Sequence, residues 1–397
     1  MNIKKKIVGD MVFNIIATAI PIALLQLVIY PIVAQRIPAN DYGIMVTIFS
    51  FLQLVCGTLG TGLNNVRLLK DSDYKKKEVC GDFNYLMMIY YLVVFLAMIV
   101  GARVYQGYWD FVSILLLALT SAIYLSVAYL EVDFRIKLDF KGILVKEIFS
   151  AVGYCVGLLL FFITNLWQFI FMFGYAVPLI YILFKTDLHK EPREKTELFP
   201  ATLRDSLYID LSGLCSRAMS YADKMLLLPL VGGSNVAIYY TATLLGKIVL
   251  MGMNPINSVI LSYINKINKL SSKAFRTYFC VGAGVCIIGY FCCIIISRPI
   301  LSFLFPQWVD EAMTYVPITT LSLCISTLCN FLTPLTLKFC NMHWQLTINV
   351  VTLFTYVVFS VVFYNLYGLV GFCCGIVCSY AVKLCVICLV YCKKSKK

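Results

Sequence analysis

The sequence predicts an all-α integral membrane protein of about twelve transmembrane helices. Three observations lead there. Apolar residues make up 61% of the 397-residue chain and charged residues 13%, far more apolar than a soluble domain. Apolar runs of about 20 residues recur along it, each long enough to cross the roughly 30 Å hydrocarbon core as a helix. The runs are continuous and lack the alternation of a barrel strand, so helices must satisfy the backbone inside lipid.

The predicted spans, in order, are 12–34, 43–63, 83–106, 110–131, 146–164, 166–185, 205–230, 236–262, 277–297, 312–337, 344–364 and 368–391. Lys4, Lys5 and Lys6 precede the first, but that run is too long for a signal-peptide core and reads as a retained span. Pro21 interrupts it, and a mid-helix proline removes one backbone bond and kinks the helix. Glu131 and Asp133 mark the end of the fourth span, Asn165 sits in the tight turn between the fifth and sixth, and Pro317 and Pro334 fall in the tenth.

Charge sets the orientation. Lysine and arginine concentrate in alternate gaps: Lys4–Lys6, Arg67–Lys77, Arg135–Lys146, Lys185–Arg204, Lys266–Arg276, Lys338 and Lys393–Lys397. The opposite gaps hold Arg36, Arg103 and Arg298. The positive-inside rule places both termini in the cytoplasm and supports an even number of spans. The most polar stretch, Lys185 to Arg204, divides the chain into an N-terminal six-helix bundle, 1–190, and a C-terminal one, 191–397. Tight polar turns at Ile37–Gly43 and Val231–Tyr239, each with a tyrosine where an even-numbered span begins, echo one another across that division. Six spans return the chain to the same side, so such halves are parallel repeats.

The composition also excludes. The formal charge of +13 is confined to short clusters between spans, and there is no zinc-finger spacing or base-reading basic helix, so no nucleic-acid partner is expected. Most of the 17 cysteines lie inside apolar runs and only His189 and His343 accompany them. Cysteine there reads as a small packing residue, and no metal or cofactor is expected. There is no G-x-S-x-G, H-E-x-x-H or P-loop and no large outer loop, so a transporter is expected rather than an enzyme.

Ionisable residues inside spans are costly and mark function. They concentrate in the second half: Asp210, Arg217, Asp223, Lys224, Lys247 and Lys383. Arg217, Tyr221 and Lys224 are spaced to share one helix face, and Ser216, Ser220 and Asp223 form a neighbouring stripe. Arg217 lies about 18 Å beyond Asp205, and Lys247 about 16 Å into the eighth span from the other side. Two cations at one depth suggest an anion site in a wet central cavity. Against this stands mutual neutralisation of Asp210, Asp223, Arg217 and Lys224 within the bundle. Lys383, about two turns from the cytoplasmic end, is expected to snorkel to that interface.

Pro38–Gly43 after the first span, Ala222–Leu227 (Ala-Asp-Lys-Met-Leu-Leu) in the seventh and Val231–Tyr239 at the eighth, with the six-plus-six layout, resemble a polysaccharide flippase. The resemblance is to O-antigen and capsule repeat-unit flippases of the multidrug/oligosaccharidyl-lipid/polysaccharide exporter superfamily, and it implies that superfamily's MATE-like fold. Two departures are visible. The first span carries Asn14 where many ion-coupled drug exporters of the superfamily have an acid, and no spans follow the twelfth, unlike the related lipid II flippases. The resemblance implies a substrate of undecaprenyl diphosphate carrying a short oligosaccharide, moved across the bacterial cytoplasmic membrane by alternating access. It points to a polysaccharide polymerase and a chain-length regulator as partners. Arg217, Lys247 and Lys224, with Tyr221 and Asn14, are then the expected substrate contacts, and Asp223 and Asp210 the groups that tune or couple charge. A cation-coupled multidrug exporter and a membrane-embedded polymerase or glycosyltransferase are the alternatives.

Overall fold

The computed structural model describes residues 18–106, 110–264, 272–339 and 342–395, and within these the chain is helical throughout apart from its turns. The helices are α1 (Thr18–Ala34), α2 (Ala39–Lys77), α3 (Asp82–Gln106), α4 (Phe111–Ile136), α5 (Phe140–Thr164), α6 (Gln168–Lys185), α7 (Phe199–Val231), α8 (Gly233–Ile264), α9 (Ser272–Leu304) and α10 (Val309–Phe339). The stretch Met342–Ser395 is broken at Tyr367 and Gly368, where φ is 60° at the glycine. It therefore forms α11 (342–366) and α12 (369–395). Each helix answers one predicted span, and the expected join near 364–368 is this break.

Eight of the described helical stretches are long and apolar enough to cross a membrane. The stretch α7 is not among them, because its apolar run is interrupted by Asp210, Arg217, Asp223 and Lys224. The chain divides into two compact units, Met1–Pro229 and Leu230–Lys397.

In the first unit α4 and α6 pack together, α2 lies against α4 and α3, and α5 pairs with α6. The α5–α6 hairpin is backbone against backbone. A Cβ on Gly153 would collide with the Phe173 carbonyl, and one on Gly157 with that of Phe169. Asn165 closes the hairpin in the left-handed conformation (φ 59°), which asparagine tolerates.

The helix α2 runs to Lys77, well past the predicted end at residue 63, because polar side chains continue to find partners along it. Asn64 donates to the Ala128 carbonyl (2.9 Å) and accepts from Arg135 (2.5 Å). Arg67 forms a two-pronged pair with Glu191 (2.6 and 2.9 Å), and Lys70 meets Asp205 at 2.9 Å. The polar stretch after α6 is strapped to the same end. Asn84 donates to the carbonyls of Leu188 and Glu191, and Asp82 accepts from the Thr196 backbone and hydroxyl. Glu131 and Asp133 do more than mark a boundary: they pair with Lys146 (2.7 Å) and Lys137 (2.5 Å).

In the second unit α10 is central and packs against α8, α9 and the 342–395 stretch. It passes Pro317 without a break in the helix. The thiols of Cys286 and Cys324 each face the other's carbonyl at 3.4 and 3.5 Å, across α9 and α10. The hairpin α11–α12 repeats the close approach of α5–α6, with Gly371 and Gly375 over the carbonyls of Phe363 and Phe359. Lys383 does not snorkel. It is buried, 8% exposed, beside the Cys329 thiol, because its face of α12 turns toward α10 rather than lipid.

Candidate functional site

The site is built on the seam between α2 and α7 within the first unit. The helix α2 presents small residues there: Gly57, Thr58, Thr61 and Gly62. Small side chains let long polar ones from the facing helix lie against the backbone. Arg217 of α7 uses this space. Its Nη2 donates to Thr61 Oγ1 at 3.1 Å, and Thr61 in turn donates to the Gly57 carbonyl at 2.5 Å. A Cβ at Gly57 would stand 2.9 Å from Arg217 Nη1 and 2.9 Å from the Tyr124 hydroxyl, so both groups flank this glycine.

Behind the guanidinium runs a polar aromatic chain. The Tyr124 hydroxyl donates to Gln53 Oε1 (2.5 Å), and Gln53 Nε2 donates to the Tyr175 hydroxyl (2.9 Å). The rings of Tyr124 and Tyr175 stack at 4.3 Å, and Tyr154 meets Tyr175 edge-on at 6.2 Å. Tyr221, one turn along α7 from Arg217, is within electrostatic reach of Tyr124. Arg217 and Tyr124 are both half-buried. Among the described residues no carboxylate pairs with Arg217. A guanidinium offers five donors, and Thr61 accepts only one. The remainder can take an anion.

Asp210, two turns earlier on α7, occupies a separate place. It is 7% exposed and accepts from the Tyr90 hydroxyl of α3 through Oδ2. Its Oδ1 sits over Gly62 without a hydrogen-bond partner. Asp210 and Arg217 therefore do not neutralise each other. Asp223 and Lys224 do approach, at 4.0 Å, and the Lys224 ammonium lies 5.9 Å from the Tyr221 ring centre. Both are buried, at 3% and 6%, and both make further interactions.

The structure thus brings Arg217 and Tyr221 to one seam and keeps Asp223 with Lys224. Lys247 is half-buried on α8 of the second unit and has interactions of its own. Asn14 lies outside the described residues. Sequence reasoning missed Gly57, Thr61, Tyr124, Gln53 and Tyr90. The run Gly57-Thr-Leu-Gly-Thr-Gly62, with Gln53 one turn before it, was the available signal. No group of three or more His, Cys, Asp or Glu able to hold a metal occurs among the described residues.

Comparison with known proteins shows what this fold is similar to. The fold is similar to that of the lipid II flippase MurJ in an inward closed conformation, with a TM-score of 0.66 and 12% identity over 88% of this chain and 86% of that one. It is similar to an inward-facing multidrug resistance MATE family transporter of the MOP superfamily (TM-score 0.64, 14% identity, 96% and 98% covered). It also resembles the Vibrio cholerae MATE transporter VcmN in its bent form (TM-score 0.57, 14% identity, 98% and 95% covered). At these identities the likeness establishes the fold. No curated protein sequence matches the chain. A family model described as "Polysaccharide biosynthesis protein" matches residues 8–268, well over half the chain. With the family model covering most of the chain, the chain belongs to the polysaccharide biosynthesis protein family.

Proposed function

We propose that this protein flips undecaprenyl-diphosphate-linked oligosaccharide repeat units across the bacterial cytoplasmic membrane, both of its termini being cytoplasmic, to supply O-antigen, capsule or exopolysaccharide synthesis. The observation that carries the reading is Arg217: an intramembrane cation, half-open, held by a hydroxyl, with no carboxylate pairing it among the described residues. Burying a charge is costly unless something pairs it. A diphosphate is the matching anion, and its bonds to a guanidinium are charge-assisted and short. Membership of a polysaccharide biosynthesis family supports a sugar-bearing carrier lipid as the molecule that brings the diphosphate.

In this mechanism the diphosphate sits against Arg217 with Tyr221 and Tyr124 beside it. Lys247, Lys224 and Asn14 complete the substrate contacts in the course of the cycle. The bundles 1–190 and 191–397 rock to expose the site to one side and then the other. Asp210 and Asp223 tune the charge. Asp210, sealed with one oxygen unpartnered, is the group suited to gain and lose a proton as its surroundings change. A polysaccharide polymerase and a chain-length regulator receive the flipped unit.

The test is chemical. In cells carrying Arg217→Ala, lipid-linked repeat units should accumulate on the cytoplasmic face and surface glycan should disappear, with the protein present at normal level in the membrane. Normal surface glycan in Arg217→Ala, Lys247→Ala and the double variant would refute the reading. Altered polymer length with unpolymerised units still reaching the outside would favour a polymerase.

A further inference from the structure

The helices α9 and α10 meet along a seam whose register can be read residue by residue. The Tyr278 ring stacks on that of Phe331 at 4.3 Å, and its hydroxyl donates to the Phe331 carbonyl at 3.2 Å. One turn on, a Cβ at Gly282 would stand 2.8 Å from Phe331 and 3.0 Å from Leu328. A further turn brings Cys286 opposite Cys324. Residues 278, 282 and 286 share one face of α9, and 331, 328 and 324 meet them in descending order, as antiparallel helices require. The seam matters to α9, which packs mainly against α10 and only lightly against α8.

At that point the two thiols engage each other's helix. Cys286 Sγ donates to the Cys324 carbonyl at 3.4 Å, and Cys324 Sγ donates to the Cys286 carbonyl at 3.5 Å. Hydroxyls nearby turn back onto their own helix: Ser297 to the Cys293 carbonyl, Thr327 to that of Leu323 and Thr333 to that of Cys329. The thiols cross the seam instead, so each side chain is turned toward the other's main chain and both sulfurs lie at one level. Cys286 is also the first electrostatic neighbour of the Cys324 thiol, ahead of Cys293. A disulfide needs two close backbones whose Cβ atoms face each other, and the reciprocal contact supplies that orientation.

Depth and exposure decide what can react there. Cys286 lies about 14 Å into the ninth predicted span, and Cys324 about 18 Å into the tenth from the other side. Both therefore sit near the middle of a roughly 30 Å hydrocarbon core. Thiols sealed in apolar surroundings are inert; Cys329 and Cys373 are buried, but Cys286 and Cys324 are only half-buried. The outer face of α9 beside them is apolar, with Ile287, Ile288 and Phe291 exposed. A reagent that reaches the pair comes through lipid and must be uncharged, since a charged one is held in water by its hydration.

We propose that Cys286 and Cys324 are a modification site, a dithiol that a lipid-soluble quinone oxidises to a disulfide joining α9 to α10. Two S–H bonds break and one S–S bond forms. The two electrons and two protons pass to the quinone, which leaves as the quinol. A dithiol reductant reverses the step by thiol–disulfide exchange. The bond ties α9 to its main support, and it stands whatever molecule the protein transports.

The experiment uses the full chain in lipid nanodiscs, incubated with a short-chain ubiquinone or with oxidised glutathione. Free thiols are then alkylated, the chain is digested, and linked peptides are read by mass spectrometry beside the thermal midpoint of the intact protein. The quinone should link the peptides carrying Cys286 and Cys324 in most molecules, with loss of two hydrogens, and should raise the midpoint. Dithiothreitol should reverse both changes, and oxidised glutathione should produce neither. Cys286→Ser and Cys324→Ser should each abolish the link and the rise, while Cys292→Ser, an exposed thiol on the same helix, should leave both intact. Treating the wild-type chain with N-ethylmaleimide before the quinone should also block the link, so the reading does not depend on a serine variant folding. Absence of a 286–324 link with the quinone, a preferred link to Cys293 or Cys329, or equally fast linking by oxidised glutathione overturns the proposal.

Discussion

The strapped end of α2 and its middle both hold arginines, and they treat them in opposite ways. At the strapped end Arg67 grips Glu191 with two bonds, Lys70 meets Asp205, and Lys146 meets Glu131 and Glu147. At mid-helix Arg217 lies across Gly57 and is given one hydroxyl. Paired cations hold the fold together, since breaking a buried pair leaves an uncompensated charge. On the proposed function, a cation with a single hydroxyl partner among the described residues contributes little to folding and is kept for the diphosphate. The contrast separates residues whose loss should unfold the protein from residues whose loss should silence it.

Four substitutions test that separation. Arg217→Ala should have the largest effect on translocation, roughly 100-fold, equivalent to ~3 kcal/mol of lost charge-assisted bonds. Its thermal midpoint in nanodiscs should stay close to that of the wild type. A collapse of folding would erase the contrast. Arg67→Ala should do the reverse, destabilising by about 3 kcal/mol, read as a lowered midpoint with normal translocation per folded molecule. Gly57→Ala places a methyl 2.9 Å from both Arg217 Nη1 and the Tyr124 hydroxyl. Both are ends of flexible side chains, so the fold should survive while translocation drops about tenfold, within the usual cost of overpacking. Thr61→Val removes one neutral acceptor and should cost about fivefold. An effect of Thr61→Val as large as that of Arg217→Ala would mean that Thr61 itself contacts the substrate.

Much of this was legible in advance, and the limits are physical. The spans follow from apolar length alone, and even the break at Tyr367–Gly368 appeared as a gap between two runs. The extension of α2 to Lys77 was hidden, because hydropathy falls silent where a helix goes on in polar residues that find partners such as Glu191 and Arg135. Rise per residue sets Arg217 about halfway along the seventh span. It does not set its lodging over Gly57, since the register between α2 and α7 is set by contacts 156 residues apart. Lys383 was misread for the same reason. Distance from the helix end says that a lysine can reach the interface, but only the packing of α12 on α10 says which way it faces.

The glycines of α5–α6 and α11–α12 have a mechanical consequence. Where main chains touch directly, no layer of side chains remains to shear, so each of these helix pairs must travel as a single stiff paddle. If the chain transports as proposed, any reshaping during the cycle has to be taken up by the remaining helices.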